Sequence, residues 1–269
     1  MTRNGSGDLN RLDMQEFGVN FSETAFRTFL SRLVSRGLPV FTVSEWRLAA
    51  LSRHSIVLRH DVDVSLEMAL KLAEIENAFG IRSTYFVLLR SPFYNALSLE
   101  GISALRAIVK LGHEVGLHWD GRLIEEDLAR ETISQEAQML AQASGQPVVS
   151  VSQHFPTTSK RLDLSDLFVD TYSAGFQKQF VYVSDSSMAW RDKDLDTILN
   201  IPASYHLLLH PVWWVNEFKT RRQKVEAACS DLKLSADLKF KDFIDFVEAC
   251  LLQRELLDQK FKTSLSARE

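Results

Sequence analysis

Short apolar runs alternate with segments of helical periodicity between residues 21 and 154. The runs are rich in β-branched and aliphatic side chains, which is typical of buried strands. Between the runs, apolar residues recur at intervals of three and four, as in helices that bury one face. This pattern predicts strands at residues 56–63, 83–89, 114–118 and 148–154, and helices at residues 21–36, 65–80, 98–112 and 124–144.

The alternation is weaker in the second half of the chain. Two more strands are predicted, at residues 180–184 and 205–210, followed by two C-terminal helices within about residues 215–260. Residues 1–20 are polar and lack periodicity, so we expect a loose N-terminal lead-in. No repeat or linker-like tract interrupts the sequence, and we predict a single domain over residues 1–269. Alternating strands and helices favour right-handed βαβ units and an α/β fold with a parallel sheet, either closed into a barrel or doubly wound.

Ionisable side chains stand at the carboxyl end of one predicted strand after another. They are Asp61 and Asp63 on the first strand, His118 and Asp120 on the third, His154 on the fourth, Asp185 on the fifth and His210 on the last. In a parallel α/β barrel these strand ends meet at one rim, where such proteins hold their sites. For any single aspartate the alternative to a functional role is a hydrogen bond within the turn that follows the strand. The joint occurrence at five strand ends favours a functional site.

Because side chains alternate between the two faces of a strand, only some of these residues can point into the interior of a barrel. Arg59, Asp61 and Asp63 lie on one face of the first strand, and His60 lies on the other. We expect this acidic face and His118 to point into a common space. Structural roles are expected for four other histidines, which are His54, His60, His113 and His206.

Histidine and aspartate together form the ligand set of a divalent metal such as zinc. Asp63 and His118 would make a minimal metal pair. A bound divalent metal lowers the pKa of water from about 15.7 towards ~7 and polarises a carbonyl group. Asp61 would then act as the base and His210 as the acid. These roles predict hydrolysis of an amide or an ester.

Aromatic residues adjoin the proposed rim and would suit a sugar ring. Trp119 follows His118 directly, while the other predicted contacts are Tyr94, Asp185, Trp190 and Trp213. Aromatic faces at a polar cleft often pack against sugars, and a packing role within the protein is the alternative for each of them. These five residues form the predicted substrate-binding set.

Five segments resemble the successive motifs of the polysaccharide deacetylase (NodB-homology) superfamily. They are LRHDVD (58–63), RSTYFV (82–87), LGHEVGLH (111–118), QHFP (153–156) and LLLHP (207–211). The resemblance covers about residues 54–214, in the family's order and approximate spacing. It is strongest to the RHDVD branch, which is associated with bacterial surface-polysaccharide (O-antigen or capsule) biosynthesis.

This resemblance implies a distorted (β/α) barrel of the NodB-homology type. It also implies a divalent metal, with zinc expected first, and removal of an acetyl group from an N-acetylated sugar. The family's catalytic base falls on Asp61, its first metal histidine on His118 and its acid on His210.

Two positions depart from the family pattern. Val62 separates two aspartates that are usually adjacent, and Arg122 stands where the second metal histidine is expected. Because a guanidinium cannot bind a metal, the third ligand must come from elsewhere, with His154 as the first hypothesis and Asp120 as the second. Two arginines are candidates for the residue that pairs with the base and keeps it ionised, Arg59 and Arg191.

Composition limits the possible partners. A net charge of −4 and a pI near 6.0 lack the basic character of nucleic-acid-binding proteins. The sequence has no apolar signal segment and no stretch able to span a bilayer, so we expect a cytoplasmic protein. The substrate would then be a nucleotide- or lipid-linked N-acetylated sugar.

Two alternative functions remain open from the sequence. The first is a non-catalytic glycan-binding or scaffolding member of the same fold, and the second is a metal hydrolase of another amide or ester. The sequence does not indicate the oligomeric state.

Overall fold

The parallel α/β sheet is confirmed. A computed structural model describes residues 21–157 and 160–266, and the predicted lead-in over residues 1–20 lies outside them. The strands are β1 (Val40–Phe41), β2 (Ser55–Val62), β3 (Thr84–Leu88), β4 (Glu114–Asp120), β5 (Ser150–His154), β6 (Val169–Asp170), β7 (Val181–Ser184) and β8 (Ser204–Leu209). All of their pairings are parallel, in the order β6-β5-β4-β3-β2-β8-β7, and β1 pairs with β2.

Helices connect the strands, and several begin and end where the sequence predicts. They are α1 (Glu23–Ser35), α2 (Trp46–Ala50), α3 (Leu66–Ala78), α4 (Leu99–Lys110), α5 (Ala129–Ser144), α6 (Ala174–Gln177), α7 (Leu195–Asn200) and α8 (Arg221–Ser266). The Ser65 and Ser98 side chains cap α3 and α4 by accepting hydrogen bonds from backbone N–H groups of the first turn. Each of these helices is followed by a glycine with positive φ, Gly80 at 69° and Gly112 at 91°, a conformation that costs other residues more.

The remaining differences concern short elements. β1, α2, β6, α6 and α7 were not predicted, because two to six residues are too few to show a hydrophobic period. The helix predicted over residues 124–144 begins later than expected. The chain first makes two 3₁₀ turns, Gly121–Leu123 and Glu126–Leu128, and α5 begins at Ala129.

A hydrogen bond across the interior shows that the sheet curls. The strand order places β2 and β6 four strands apart, which is about 19 Å in a flat sheet. Arg59 of β2 nevertheless donates from Nη1 to Oγ1 of Thr171, the residue after β6, at 2.5 Å. β6 and β7 end the strand order and do not pair with each other in the described residues. The predicted distorted (β/α) barrel is therefore confirmed, with Arg59 in its interior.

The barrel interior is crowded beneath the candidate site. The Glu114 carboxylate accepts hydrogen bonds from Ser150 Oγ at 2.6 Å and from Thr84 Oγ1 at 2.8 Å, which ties β4 to both neighbouring strands. Gly116 lies two residues further along β4. A Cβ at this glycine would lie 2.5 Å from Phe86 Cε1 and 2.7 Å from Ser150 Oγ. The absence of a side chain at Gly116 is therefore a packing requirement.

The main apolar core lies between the outer face of the sheet and α3, α4 and α5. Outward-facing residues of β3, β4 and β5 pack there against helix residues such as Leu105, Ile133 and Leu140. Trp119 belongs to this core and is only 3% exposed. The neighbouring His118 points to the opposite face, because side chains alternate along β4.

A buried polar network also lies on the outer face of the sheet, under α3. The Glu76 carboxylate accepts hydrogen bonds from Ser83 Oγ at 2.6 Å and Tyr85 OH at 2.8 Å, and lies 2.7 Å from His60 Nε2. Burial acts to raise the pKa of Glu76, but the charge and hydrogen bond of His60 outweigh it and lower the pKa. His113 Nδ1 accepts a hydrogen bond from the Ser83 N–H at 3.2 Å. His60 thus faces away from the candidate site.

The chain divides into two compact units, Met1–Lys224 and Val225–Glu269. The first contains the sheet, its helices and every residue of the candidate site described below. The second consists mainly of α8, which is one continuous helix where the sequence pattern predicts two. Among the residues that the structure covers, none of the helices combines the length and apolar character that crossing a bilayer requires.

Candidate active site

Five ionisable side chains converge at the carboxyl ends of β2, β4, β5 and β8. His118 Nε2 lies 3.6 Å from Asp61 Oδ2 and 3.5 Å from Asp63 Oδ1. His154 Nδ1 lies 3.4 Å from Asp63 Oδ1. On the other side, His210 Nε2 lies 3.8 Å from Asp63 Oδ2. The structure therefore brings together the predicted base, the predicted acid and three predicted metal ligands, with Asp63 at the centre.

Asp63, His118 and His154 are arranged so that they could hold a metal ion. One ligand atom from each lies within 4.8 Å of the others, and His118 Nε2 is 3.0 Å from His154 Nδ1. Ligand atoms of a tetrahedral zinc site are about 3.4 Å apart. Asp63 Oδ1 is buried and has no hydrogen-bond partner in the described chain. A divalent cation would satisfy this oxygen, so the three residues fit such an ion.

The charges within this cluster favour an ionised Asp63 and a neutral His154, which are the forms that bind a metal. Burial acts to raise the pKa of Asp63, but the adjacent His118 imidazole and the nearby His210 and His154 imidazoles lower it to about 2. Burial and the neighbouring His118 both lower the pKa of His154. Burial also acts to lower the pKa of His118, but the Asp61 and Asp63 carboxylates raise it. An ionised Asp63 and a neutral His154 each offer a lone pair to a cation.

His118 is oriented by the neighbouring strand. Its Nδ1 lies 2.9 Å from the backbone oxygen of Ser152 in β5, so it donates to that oxygen and directs Nε2 towards Asp61 and Asp63. Metal-binding histidines are commonly fixed in this way by a hydrogen bond from the second ring nitrogen.

Asp61 is paired with Arg59, two residues earlier on the same face of β2. Arg59 Nη2 lies 3.2 Å from Asp61 Oδ2, and both side chains are almost fully buried. The same guanidinium donates to Thr171 Oγ1 and, at 3.3 Å, to Tyr172 OH. Arg191, the other predicted partner, is exposed, and the ion pair with Asp61 is made by Arg59 instead. Asp61 Oδ1 is buried and has no hydrogen-bond partner in the described residues, and Oδ2 is the oxygen that lies 3.6 Å from His118 Nε2.

His210 is fixed by Asp185. Its Nδ1 lies 2.6 Å from Asp185 Oδ1, and its backbone N–H donates to Oδ2 at 3.0 Å. Trp214 Nε1 also donates to Oδ2, at 2.7 Å. Asp185 is fully buried, which corrects the prediction that it contacts substrate: it holds His210. Burial acts to lower the pKa of His210, but the Asp185 carboxylate raises it to about 9.

Asp120 does not join the cluster. Its carboxylate accepts hydrogen bonds from Arg122 Nε at 2.9 Å and Nη2 at 2.5 Å, and from the Arg122 backbone N–H at 3.0 Å. This bidentate pairing occupies both oxygens, so Asp120 is not among the residues that could hold a metal ion, whereas His154 is. The guanidinium of Arg122 lies over the Phe155 ring, 4.3 Å from its centroid.

The four aromatic residues predicted to contact a substrate lie in different environments. Trp119 is part of the core, which corrects its expected role at the substrate. Tyr94 OH donates to Val62 O at 2.6 Å and accepts from Leu88 N–H at 3.0 Å, so its hydroxyl braces two strand ends. Trp190 stacks on Phe21 at 5.5 Å. Trp213 follows His210 and is 9% exposed. Contact of Trp190 and Trp213 with a substrate stays a prediction.

Three residues around the site were not predicted. Thr171 and Tyr172 follow β6, whose two residues show no strand pattern, and they reach Arg59 only because the sheet curls. Phe155 adopts a positive φ of 46° and packs on the His154 ring at a centroid distance of 3.9 Å. Its signal in the sequence was its place directly after His154, within the QHFP segment.

Comparison with known proteins gives distant similarities in fold. No family model and no curated protein matches the sequence. A CE4 family pseudoenzyme from Bacillus anthracis is 17% identical with a TM-score of 0.39; the alignment covers 69% of this chain and 62% of that protein, less than two thirds of its length. The peptidoglycan deacetylase PdaC from Bacillus subtilis is 16% identical, with a TM-score of 0.43 and coverage of 69% and 86%. The Bc1960 peptidoglycan N-acetylglucosamine deacetylase is 17% identical, with a TM-score of 0.41 and coverage of 70% and 85%.

Proposed function

We propose that this chain is a metal-dependent hydrolase that removes the acetyl group from an N-acetylated sugar. The observation that carries the proposal is the placement of Asp61 and His210 beside the Asp63–His118–His154 cluster. Asp61 lies 3.6 Å from His118, and His210 lies 3.8 Å from Asp63. A base and an acid beside one possible cation site match the needs of acyl transfer to water.

Asp63, His118 and His154 would hold the cation, which would supply Lewis-acid polarisation of the acetamide carbonyl. Asp61 serves as the base that takes a proton from the attacking water. Its Oδ2 is held by Arg59, and its Oδ1 is left without a protein partner. The carboxylate is thus fixed in position, with Oδ2 towards the cluster and one oxygen that makes no hydrogen bond within the described residues.

His210 serves as the acid that protonates the departing amine. Its Nδ1–H is engaged by Asp185, so Nε2 is the nitrogen that faces the cluster. With a pKa of about 9, the imidazole carries the required proton at neutral pH. The buried Asp185 carboxylate balances the positive charge.

The substrate class rests on the sequence motifs. Their resemblance to the polysaccharide deacetylase superfamily supports an N-acetylated sugar, and the RHDVD segment supports a role in surface-polysaccharide biosynthesis. We further propose zinc as the metal and a nucleotide- or lipid-linked sugar as the substrate. The same residues could hydrolyse another amide or an ester, so it is the motif resemblance that selects the N-acetylated sugar as the acyl donor.

A non-catalytic glycan-binding protein is the second candidate, and one observation favours it. Arg122 occupies the position where the motif resemblance expects a metal histidine, and its guanidinium is committed to Asp120. The acid, the base and their buried partners Arg59 and Asp185 favour catalysis. A glycan-binding protein has no need for that acid–base pair.

The test is acetate release from a panel of acetylated amino sugars, free and nucleotide-linked, by zinc-loaded protein. Asp61→Asn should retain the metal and the fold but lose at least about 100-fold in rate, the lower range for a general base. Asp196→Asn, at an exposed ion pair with Arg32, is the matched control and should keep full activity. Metal binding with no acetate release from any substrate would favour the glycan-binding alternative, and substantial turnover by Asp61→Asn would exclude Asp61 as the base.

A further inference from the structure

A stack of side chains covers the outer side of His154. The His154 ring packs on the Phe155 ring with centroids 3.9 Å apart, and the Arg122 guanidinium lies 4.3 Å from the centroid of the Phe155 ring. Asp120 holds Arg122 through both carboxylate oxygens. We propose that Asp120, Arg122 and Phe155 are positioning residues that fix the His154 imidazole for cation binding. This inference rests on the proposed function, because it needs the Asp63–His118–His154 cluster to hold a cation.

His154 needs such support more than His118 does. His118 Nδ1 is anchored to the backbone oxygen of Ser152, so its ring orientation is set by the strand. His154 has no comparable anchor in the described chain: its hydrogen-bond contact is with His118 Nε2, itself a proposed ligand atom. Two ligands cannot orient each other once both nitrogens bind the same cation. Among the described contacts, the ring contact with Phe155 can hold His154 in place without involving a proposed ligand.

Phe155 is held in an unusual backbone conformation. Its φ of 46° lies in the left-handed region, which bulky residues rarely adopt. Such a conformation persists where surrounding contacts determine it, and it is common at functional sites. The side chain is 47% exposed, so burial of the ring is not a sufficient reason for the strain. The conformation places the ring between Arg122 and His154.

The pairing of Arg122 with Asp120 has two consequences for the cluster. The bidentate contact fixes a planar guanidinium over the ring, which a lysine ammonium could not reproduce. It also balances the positive charge of Arg122, which would otherwise repel a cation bound to His154. Arg122, which stands where a metal histidine is expected, thus supports the proposed ligand His154 through the Phe155 ring.

The test is cation binding by the full chain without substrate, measured by zinc titration against a chromophoric chelator and by the visible spectrum of the cobalt-loaded protein. Phe155→Leu should weaken zinc binding about 10- to 100-fold and alter the cobalt spectrum, in line with other residues that orient metal ligands. Phe155→Tyr keeps the stacked ring and should remain within about threefold of the wild type. Phe93→Leu, at an equally exposed phenylalanine after β3, should leave both measurements unchanged.

Arg122→Gln provides a second variant, at a side chain that is 47% exposed and pairs with the nearly buried Asp120. It should weaken zinc binding in the same direction, whereas Arg122→Lys should restore it only in part. Unchanged affinity and cobalt spectra in both Phe155→Leu and Arg122→Gln would overturn the positioning role while leaving the proposed function intact. If the wild type binds neither zinc nor cobalt, both proposals fail together.

Discussion

Nδ1 of His210 lies 2.6 Å from Oδ1 of Asp185, and the same carboxylate accepts the backbone N–H of His210. Asp185 is fully buried, so little solvent screens this pair. The carboxylate therefore stabilises the imidazolium and leaves Nε2 as the nitrogen that faces Asp63. In the proposed reaction this relationship sets the upper pH limit of the acid.

The rate of acetate release should fall as pH rises through the pKa of His210, because the proton needed by the leaving amine is then lost. That pKa is raised to about 9, and a cation beside Asp63 would lower it, so the alkaline limb should lie at or below pH 9. Asp185→Asn removes the stabilising charge and should move the limb to lower pH. The measurement is an initial-rate profile from pH 6 to 10; an alkaline limb in the same place for both proteins would contradict the role of Asp185.

The third ligand can be tested by metal content. His154→Ala should reduce the zinc retained after purification to near zero, because two remaining protein ligands hold the ion poorly. Elemental analysis gives the zinc-to-protein ratio. His54→Ala, whose ring contacts the Ile198 backbone oxygen away from the cluster, is the control and should retain the wild-type ratio. Full retention of zinc by His154→Ala would show that the bound metal uses other residues.

Glu76 should be important for stability and irrelevant to the chemistry. Glu76→Leu removes the acceptor of Ser83 and Tyr85 and the partner of His60, all buried, and should cost about 3–5 kcal/mol in free energy of unfolding. Urea unfolding measures this cost. Glu67→Leu, at an exposed position of the same helix, should change the stability by less than about 0.5 kcal/mol.

The same network predicts a dependence of stability on pH. The pKa of Glu76 is lower in the folded chain than its ordinary value of 4.5, so the unfolded chain binds the proton more readily. The contribution of Glu76 is therefore fully present above pH 4.5 and is lost as pH falls through the folded-state pKa. Removal of the carboxylate in Glu76→Leu should make the unfolding free energy less sensitive to acid, and an equal acid sensitivity in both proteins would contradict this assignment.

Gly116 offers a test of the crowded interior. In Gly116→Ala the new methyl group meets Phe86 and Ser150 at distances that require movement, and we expect a loss of about 1–3 kcal/mol in unfolding free energy. Gly175→Ala, where no atom lies within 4 Å of the added Cβ, is the matched control and should be neutral or slightly stabilising. Equal urea midpoints for the two variants would show that the interior can relax around a methyl group.

Much of the site followed from the two-residue period of the strands. The same period that placed Asp61, Asp63 and His118 on one face also placed Trp119 on the other, so the predicted substrate contact of Trp119 conflicted with the pattern itself. For the third ligand the sequence predicts His154 first and Asp120 second; His154 lies in the group that could hold a metal ion, and both Asp120 oxygens are hydrogen-bonded to Arg122.

Other features depended on information that a local pattern does not contain. Asp185 was recognised as a polar strand end, but its partner His210 is 25 residues away, and only the pairing of β7 with β8 brings the two together. Thr171 follows a two-residue strand, too short for any period to appear. The backbone conformation of Phe155 is set by its neighbours in space.

The hydrogen bond between Arg59 and Thr171 joins residues 112 positions apart. Because it forms only in the curled sheet, the curvature of the barrel and the environment of the proposed base are thermodynamically linked. Any change that separates β6 from the rest of the sheet removes the Thr171 and Tyr172 contacts of Arg59, the residue that pairs with Asp61. Conversely, a ligand that binds the ionised Asp61 also stabilises the closed curvature, so substrate affinity and rigidity at this edge of the barrel should rise and fall together.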